Sequence, residues 1–188
     1  MAGEVFATNN EYPFTVSVSS DQTRLLLVDG RSRWEFRYLK NLFDMRDRSV
    51  RLQYVLMEPD RITGQPPRAE IHAAAARPAE QSEATALPRE LSEWLKFDVI
   101  ILGDVNPQHL RPEDLEALRK FVFDRGGALI VIAGPNFMPR AYGGSVLEEM
   151  IPATLPPPAD KKAGIGLWEL EVYDRLERRP WSPRLRLP

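Results

Sequence analysis

The feature that most constrains the fold is the first of several short apolar runs that end in turn-forming residues. Leu25–Val28 is continuously apolar, Asp29-Gly30 follows it, and a helical pattern begins within a few residues. A strand that leads directly into a helix is typical of an open α/β sheet. Four apolar residues in a row indicate burial on both faces, as parallel strands require. The run therefore predicts a central strand over Arg24–Asp29.

Three later runs repeat this pattern and predict further strands. These are Val50–Met57, Phe97–Leu102 and Ala128–Ala133. Helical or loop segments separate them, so the sequence predicts an α/β fold with a mostly parallel sheet that is covered on both faces. We expect the four strands in the order 2-1-3-4.

The helix after the first strand has an amphipathic pattern. Ser32 and Glu35 have the spacing of a capping box, which predicts that Ser32 is the N-cap of the helix and Glu35 its N3 residue. Its large apolar residues recur at helical spacing and predict one broad stripe that lies on the sheet. The residues of this stripe are Trp34, Tyr38, Leu39, Leu42 and Phe43.

Changes in composition divide the chain into segments. Residues 1–22 contain an alternating strand pattern, which fits either an edge strand of the same domain or the last strand of a preceding β-domain. Residues 23–158 form the α/β domain, in which 61–88 is rich in Ala, Pro, Glu and Gln and predicts a long flexible loop. Residues 159–188 form an extension, with an edge strand predicted at Leu167–Tyr173 and a poorly ordered tail after it.

Composition excludes several classes of function. The 188 residues carry a net charge of -2, which argues against a nucleic-acid partner because such a partner requires a basic surface. The chain has no cysteine, so disulfides, thiolate metal sites and a cysteine nucleophile are excluded. No apolar run approaches the roughly 20 residues that span a bilayer, so we expect no membrane insertion of this segment.

Two stretches together resemble a known family. LLLVDGRSRWEFRYLKNLF and LPRELSEWLKFDVIILGDVNPQHLRPEDLEALRKFVFDRGGALIVIAGPNFMPRAY resemble the class I glutamine amidotransferase-like domain. The resemblance is closest to the version found in large bacterial membrane-anchored proteins with von Willebrand A-type and immunoglobulin-like modules. It covers roughly Arg24 to Ile151 and implies a flavodoxin-like three-layer fold. It also implies that the N-terminal strand ends an immunoglobulin-like neighbour.

The chain departs from this family at the catalytic residues. Catalytic members place a cysteine in a tight elbow after the strand that corresponds to Ala128–Ala133, and they pair it with a later His and Glu. Here the elbow reads Ala-Gly-Pro-Asn-Phe, and no His follows His109. Hydrolysis of glutamine through a thioester would have neither nucleophile nor base. The resemblance therefore implies a non-catalytic member, and we expect neither a cofactor nor a metal.

The carboxyl ends of the predicted strands bring polar residues to one edge of the sheet, where ligands bind in open α/β folds. These residues predict a crevice for a small anion, a sugar or a cation. The alternative is that Asp, Gly and Asn occur here only because tight turns favour them. The candidate residues are Asp29, Gly30, Arg33, Arg37, Asp104, Asn136 and Arg140.

Two of these residues have alternative interpretations that lead to different functions. Asp29 and Asp104 are either paired acids of a hydrolase or metal-dependent enzyme, or structural groups, one of them held by an arginine. The loop Phe137–Tyr142 is either a binding lip or a cover for the sheet.

The resemblance thus implies an interaction or ligand-binding module of a larger, membrane-anchored bacterial protein. Its partner is expected to be another protein or a second copy, and a small-molecule ligand is a further option. Neither the ligand nor the side of the membrane follows from the sequence.

Overall fold

The centre of the molecule is a sheet whose strands all run in the same direction. A computed structural model describes residues 22–60, 64, 66, 68–152, 173–174 and 179–180. Parallel pairing agrees with the alternation of strands and helices in the sequence. The strands of this sheet are β1 Thr23–Asp29, β2 Val50–Leu56, β3 Glu83–Ala84, β4 Val99–Leu102 and β5 Ala128–Val131.

The strand order differs from the predicted one. The sheet has five strands in the order β3-β2-β1-β4-β5, whereas four strands in the order 2-1-3-4 were predicted. The difference is β3, which adds to the outer side of β2 through Tyr54 and Val55. A strand of two residues is too short to show an alternating pattern, so the sequence gives no signal for it.

The segment predicted as a long loop is packed onto the domain over much of its length. Besides β3, it contains Ala73 and Ala75, which are almost fully buried, and Leu87, which is also buried. The Ala73 amide donates to the Ala86 carbonyl at 2.9 Å, next to an isolated parallel bridge. Small alanine side chains bury little area each but allow the backbone to pack closely on the core. Residues 68–88 thus contain a short strand and part of the core, and the flexibility predicted for 61–88 stays a prediction.

Helices cover both faces of the sheet. They are α1 Trp34–Asn41, which continues into a π-helical turn Leu42–Arg46, and α2 Leu91–Trp94, α3 Pro112–Phe123 and α4 Val146–Met150. Phe36 of α1 belongs to the core on one face, whereas Trp94, Leu118 and Leu147 of the other helices belong to the core on the opposite face. This three-layer arrangement is compatible with a flavodoxin-like fold.

The predicted apolar stripe of α1 is confirmed at Leu39 and Phe43, which are partly buried against the core, and is wrong at Trp34 and Tyr38. Trp34 and Tyr38 are 70% and 56% exposed, and Phe36 is the residue that is buried. Two helical positions differ by about 200°, so Phe36 and Trp34 lie on opposite faces. Phe36 packs edge-on against Tyr54 of β2, with their ring centroids 5.8 Å apart. Leu39, three positions further, shares the face of Phe36 and is partly buried.

The predicted capping box is also wrong. Arg33 is the N-cap residue of α1, and no side chain caps the helix there. The Ser32 hydroxyl instead accepts a hydrogen bond from Arg37 Nε at 2.9 Å. The helix therefore begins one residue later than a Ser32 cap requires, because Arg33 is held in extended conformation by the contacts described below.

The two ends of the chain lie largely outside the described residues. The predicted strand over Glu11–Ser20 falls there, and so does most of the predicted strand over Leu167–Tyr173. Within the extension, β6 Tyr173–Asp174 and β7 Arg179–Pro180 pair with each other in antiparallel orientation.

Candidate functional site

A crevice lies at the carboxyl ends of the strands, as the fold class predicts. Its volume is about 230 Å³, and its walls include Gly30, Arg31, Glu58, Asn136 and Phe137. Small-molecule pockets usually measure about 300–1,000 Å³. The crevice is therefore suited to a small ligand.

Asp29, the last residue of β1, forms an ion pair with an arginine. Arg33 Nη2 lies 2.9 Å from Asp29 Oδ2, and Arg33 Nε lies 3.3 Å from Oδ1, so the pair is bidentate. The aspartate is 1% exposed. Arg33 also donates to the Ala133 carbonyl at 3.3 Å and thereby ties the end of β1 to the end of β5. The predicted ion pair between an arginine and one of these acids is confirmed.

The environment of Arg33 favours its charged form. Burial lowers the pKa of its guanidinium, but the hydrogen bonds and the charge of Asp29 outweigh this, so that the pKa is raised. Asp29 is thus engaged as a structural anion.

Asp104, two residues after β4, is held by a different set of donors. Its Oδ1 accepts from the backbone amides of Phe137 and Met138 at 2.7 and 2.8 Å. Its Oδ2 accepts from the Asn136 backbone and side-chain amides, both at 3.0 Å. Burial raises the pKa of Asp104, but these donors outweigh it, and the pKa lies below its usual value. Asp104 therefore fixes the loop that follows β5.

Three glycines make room for these two aspartates. A Cβ atom on Gly103 would lie 2.2 Å from Asp29 Oδ2, and one on Gly134 would lie 2.1 Å from Asp104 Cγ. A Cβ on Gly30 would lie 2.3 Å from the Asp104 carbonyl oxygen. Such distances are far below van der Waals contact. The glycines at the strand ends are explained by the approach of the protein to itself, without a ligand.

The loop after Asn136 covers the core with two of its side chains and borders the crevice with a third. Met138 and Tyr142 are each 1% exposed, and the Tyr142 hydroxyl donates to the Val105 carbonyl at 3.0 Å. Burial, followed by the nearby charge of Asp104, raises the pKa of Tyr142. Phe137 remains half-buried and lines the crevice. The interpretation as a cover is thus confirmed for Met138 and Tyr142, whereas a binding role for Phe137 at the crevice stays a prediction.

The remaining candidates are distributed differently from the prediction. Asn136 reaches the crevice, but its side-chain nitrogen is bound to Asp104. Arg37 lies on the exposed face of α1, and Arg140 lies half-buried in the short helical turn at the end of the same loop. Neither arginine lines the crevice. The structure therefore brings together five of the seven candidates.

Sequence reasoning missed two contributors to the crevice region. Arg31 Nε donates to Glu58 Oε2 at 3.0 Å across one wall. His109 Nδ1 lies 3.7 Å from Glu58 Oε1 on the other side. The position of Arg31 directly after Gly30 was a usable signal, because residues that follow a strand end lie at this edge of the sheet. His109 lies in the connection between β4 and α3, and no comparable sequence signal pointed to it.

Metal binding has no support in the described part of the chain. No group of three or more His, Cys, Asp or Glu side chains there is arranged to hold an ion. Asp29 and Asp104 use both of their oxygens in hydrogen bonds with protein donors. Oxygen ligands for Mg²⁺ would have to be released from these contacts first.

At the level of class, the described residues define a parallel α/β domain with a polar crevice at its strand ends. Comparison of the chain with protein-family models, with curated proteins and with solved structures finds no match in any of the three. Among the described residues, no helix combines the length and apolar character needed to cross a bilayer.

Proposed function

We propose that the chain is a non-catalytic module of the class I glutamine amidotransferase-like type. In this proposal it acts within a larger, membrane-anchored bacterial protein as an interaction or ligand-binding domain. The observation that carries the proposal is that both strand-end acids, Asp29 and Asp104, are consumed by internal contacts. The chain also lacks a cysteine for the nucleophile elbow.

The chemistry of the crevice supports a small polar ligand that is bound without being transformed. One wall carries the cation Arg31 and the anion Glu58, and Asn136 adds an amide. Opposite charges a few ångströms apart complement a zwitterion such as a free amino acid. Arg31 is 72% exposed and can rotate from Glu58 to a ligand carboxylate at little cost, because an exposed ion pair contributes only about 0–1 kcal/mol.

The test combines binding and activity on the same protein. Thermal unfolding is measured with glutamine, with glutamate and with MgCl₂, and ammonia release from glutamine is assayed in parallel. We expect glutamine or glutamate to raise the Tm, because a ligand that binds only the folded state stabilises it. Arg31→Gln is expected to abolish this rise. Arg68→Gln is the matched control, since Arg68 forms a comparable exposed pair with Glu83 at 2.8 Å.

Two outcomes would contradict the proposal. Release of ammonia from glutamine would show that the module is catalytic. A stabilisation by Mg²⁺ that is lost in both Asp29→Asn and Asp104→Asn would support the metal-dependent enzyme instead. If neither amino acid shifts the Tm, binding of a ligand in the crevice is rejected, and only the role as a protein-interaction domain is retained.

A further inference from the structure

The outer edge of β5 is an open strand edge within the described sheet. The amides of Ala128 and Ile132 point toward β4, where they donate to the carbonyls of Asp98 and Leu102. Backbone groups alternate in direction along a strand. The N–H and C=O groups of Leu129 and Val131 therefore point away from β4, and no strand of the described residues pairs with them.

Apolar side chains flank this edge on both faces of the sheet. Ile130 is 47% exposed on the face covered elsewhere by α1, and Leu129 and Val131 are half-buried on the opposite face, against the larger core cluster. The sequence of β5, Ala-Leu-Ile-Val, has no charged residue. Proteins usually blunt such edges with charges, prolines or bulges, because an exposed apolar edge pairs with another strand.

The charge nearest to this edge in sequence is already neutralised. Arg125, three residues before β5, lies 2.8 Å from Asp98. A second molecule that approaches β5 therefore meets a paired cation rather than a repulsive field. A strongly charged partner would find no unpaired complement in this ion pair, whereas an identical uncharged edge fits.

The opposite edge of the sheet is protected. Strand β3 is only two residues long, and its Glu83 is paired with Arg68 at 2.8 Å. The neighbouring amides of Thr85 and Ala86 are bound to the Ile71 carbonyl. Among the described residues, one edge of the sheet is thus closed and the outward hydrogen-bonding groups of the other have no strand partner, which indicates a use for β5.

We propose that β5 pairs in antiparallel orientation with β5 of a second copy of this chain, about a two-fold axis. In the symmetric register, Leu129 lies opposite Val131 of the second copy, and each such pair exchanges two backbone hydrogen bonds. Ile130 then lies opposite Ile130 of the second copy at the axis, in the closely spaced type of pair. The interface is isologous, so it closes at the dimer and joins two sheets into one.

The test is the mass of the full chain by size-exclusion chromatography with light scattering over a range of protein concentrations. The wild type is expected to run as a dimer. Ile130→Lys is expected to raise the dimer dissociation constant at least about tenfold, because it places two like charges at the axis. Ile71→Lys is the matched control, since Ile71 is 43% exposed at the protected edge, and it is expected to remain dimeric.

A second variant guards against misfolding of the first. Ile130→Thr keeps a β-branched residue in the strand and removes apolar contact, so it is expected to weaken the dimer while the circular dichroism spectrum stays unchanged. A wild type that is monomeric at every concentration overturns the proposal. If that monomer is also destabilised by Ile130→Lys but not by Ile71→Lys, another segment of the same chain covers β5, which equally overturns it. These measurements are independent of the crevice and of its ligand.

Discussion

Aspartates link neighbouring segments at both ends of the parallel sheet, but they are buried at one end and partly exposed at the other. At the carboxyl end, Asp29 and Asp104 are 1% and 3% exposed. At the amino end, the Asp98 side chain is 32% exposed and binds Arg24 of β1 and Arg125 after α3. The hydrogen bonds are of similar length at both ends. Since burial differs, we expect loss of a partner to be costly at the carboxyl end and mild at the amino end.

This comparison also bears on function. Acids at the carboxyl ends of parallel strands are the usual candidates for catalysis in this class of fold. Here they are the more deeply buried acids and both are fully engaged by protein donors, whereas the partly exposed acid lies at the end where ligands are not expected. A catalytic acid needs access to substrate, and buried acids with satisfied hydrogen bonds act as structural links. Four predictions test this contrast, from the largest expected effect to the smallest.

The largest effect is expected for Arg33→Met, which leaves Asp29 buried without its cation. Removal of one partner of a buried ion pair costs about 3–5 kcal/mol of unfolding free energy. Urea denaturation at neutral pH measures it. Arg37→Met, on the exposed face of the same helix, is the control and should change stability by less than about 0.5 kcal/mol. Equal losses in both variants would mean that the Asp29 pair has no special role.

The double variant Asp29→Asn/Arg33→Met sharpens this result. Once the carboxylate is neutral, the missing guanidinium no longer leaves a buried charge unpaired, so much of the lost stability should return. A coupling energy of about 1–3 kcal/mol is expected from the four unfolding free energies of the cycle. Strict additivity would show that the two side chains do not act together.

Asp104→Asn is expected to lower the free energy of unfolding by about 2–3 kcal/mol, because an amide nitrogen would face backbone donors that need an acceptor. The change preserves volume, so packing is nearly constant. Asp44→Asn, on an exposed position of the π-helical turn, is the control and should be close to neutral. An unchanged free energy of unfolding in Asp104→Asn would contradict the structural role assigned to Asp104.

The smallest effect is expected at the amino end and depends on pH. Hydrogen bonds from Arg24 are the main cause that lowers the pKa of Asp98 from 3.8 to about 2, against an opposing effect of burial. A lowered pKa gives stability that is fully present above the unfolded value and is lost as pH falls through the folded value. With screening, we expect about 1 kcal/mol from Asp98 at neutral pH.

The measurement is the difference in unfolding free energy between wild type and Asp98→Asn at several pH values. It should be constant above about pH 5 and shrink as the pH falls from 4 toward 2. Added salt should reduce it as well, because the pair is partly exposed. A difference that grows on acidification would contradict the assigned sign.

Much of the sheet was predictable because its signals are local. The runs that became β1, β2, β4 and β5 are apolar, bounded by turn residues and long enough to be recognised. Strand β3 was not predictable, because two residues in an alanine-rich segment have no periodicity. The predicted orientation of α1 was wrong because Trp34 and Phe36 are both large apolar residues that could pack on the sheet. Which of the two is buried depends on where the helix begins.

The candidate site was predictable in location but only partly in its chemistry. The topology placed Asp29 and Asp104 at one edge, and the pairing of an acid with Arg33 was among the stated alternatives. The partners of Asp104 were not foreseeable, since most of them are the backbone amides of residues 136–138. Backbone amides do not depend on the residue type, so no sequence pattern identifies them. The role of the glycines also depends on distances between chain segments, which no local pattern encodes.

If the strand-end acids hold the fold together, the pKa of Asp104 must reflect its hydrogen bonds to the protein, and this pKa can be measured. A carbon-detected NMR titration of the side-chain carboxyls, with and without Mg²⁺, gives this value. We predict a pKa below 3.8 that Mg²⁺ does not change, because backbone amides already bind both oxygens. A pKa raised toward neutrality, or one that Mg²⁺ displaces, would contradict the claim and indicate an acid that is available for chemistry.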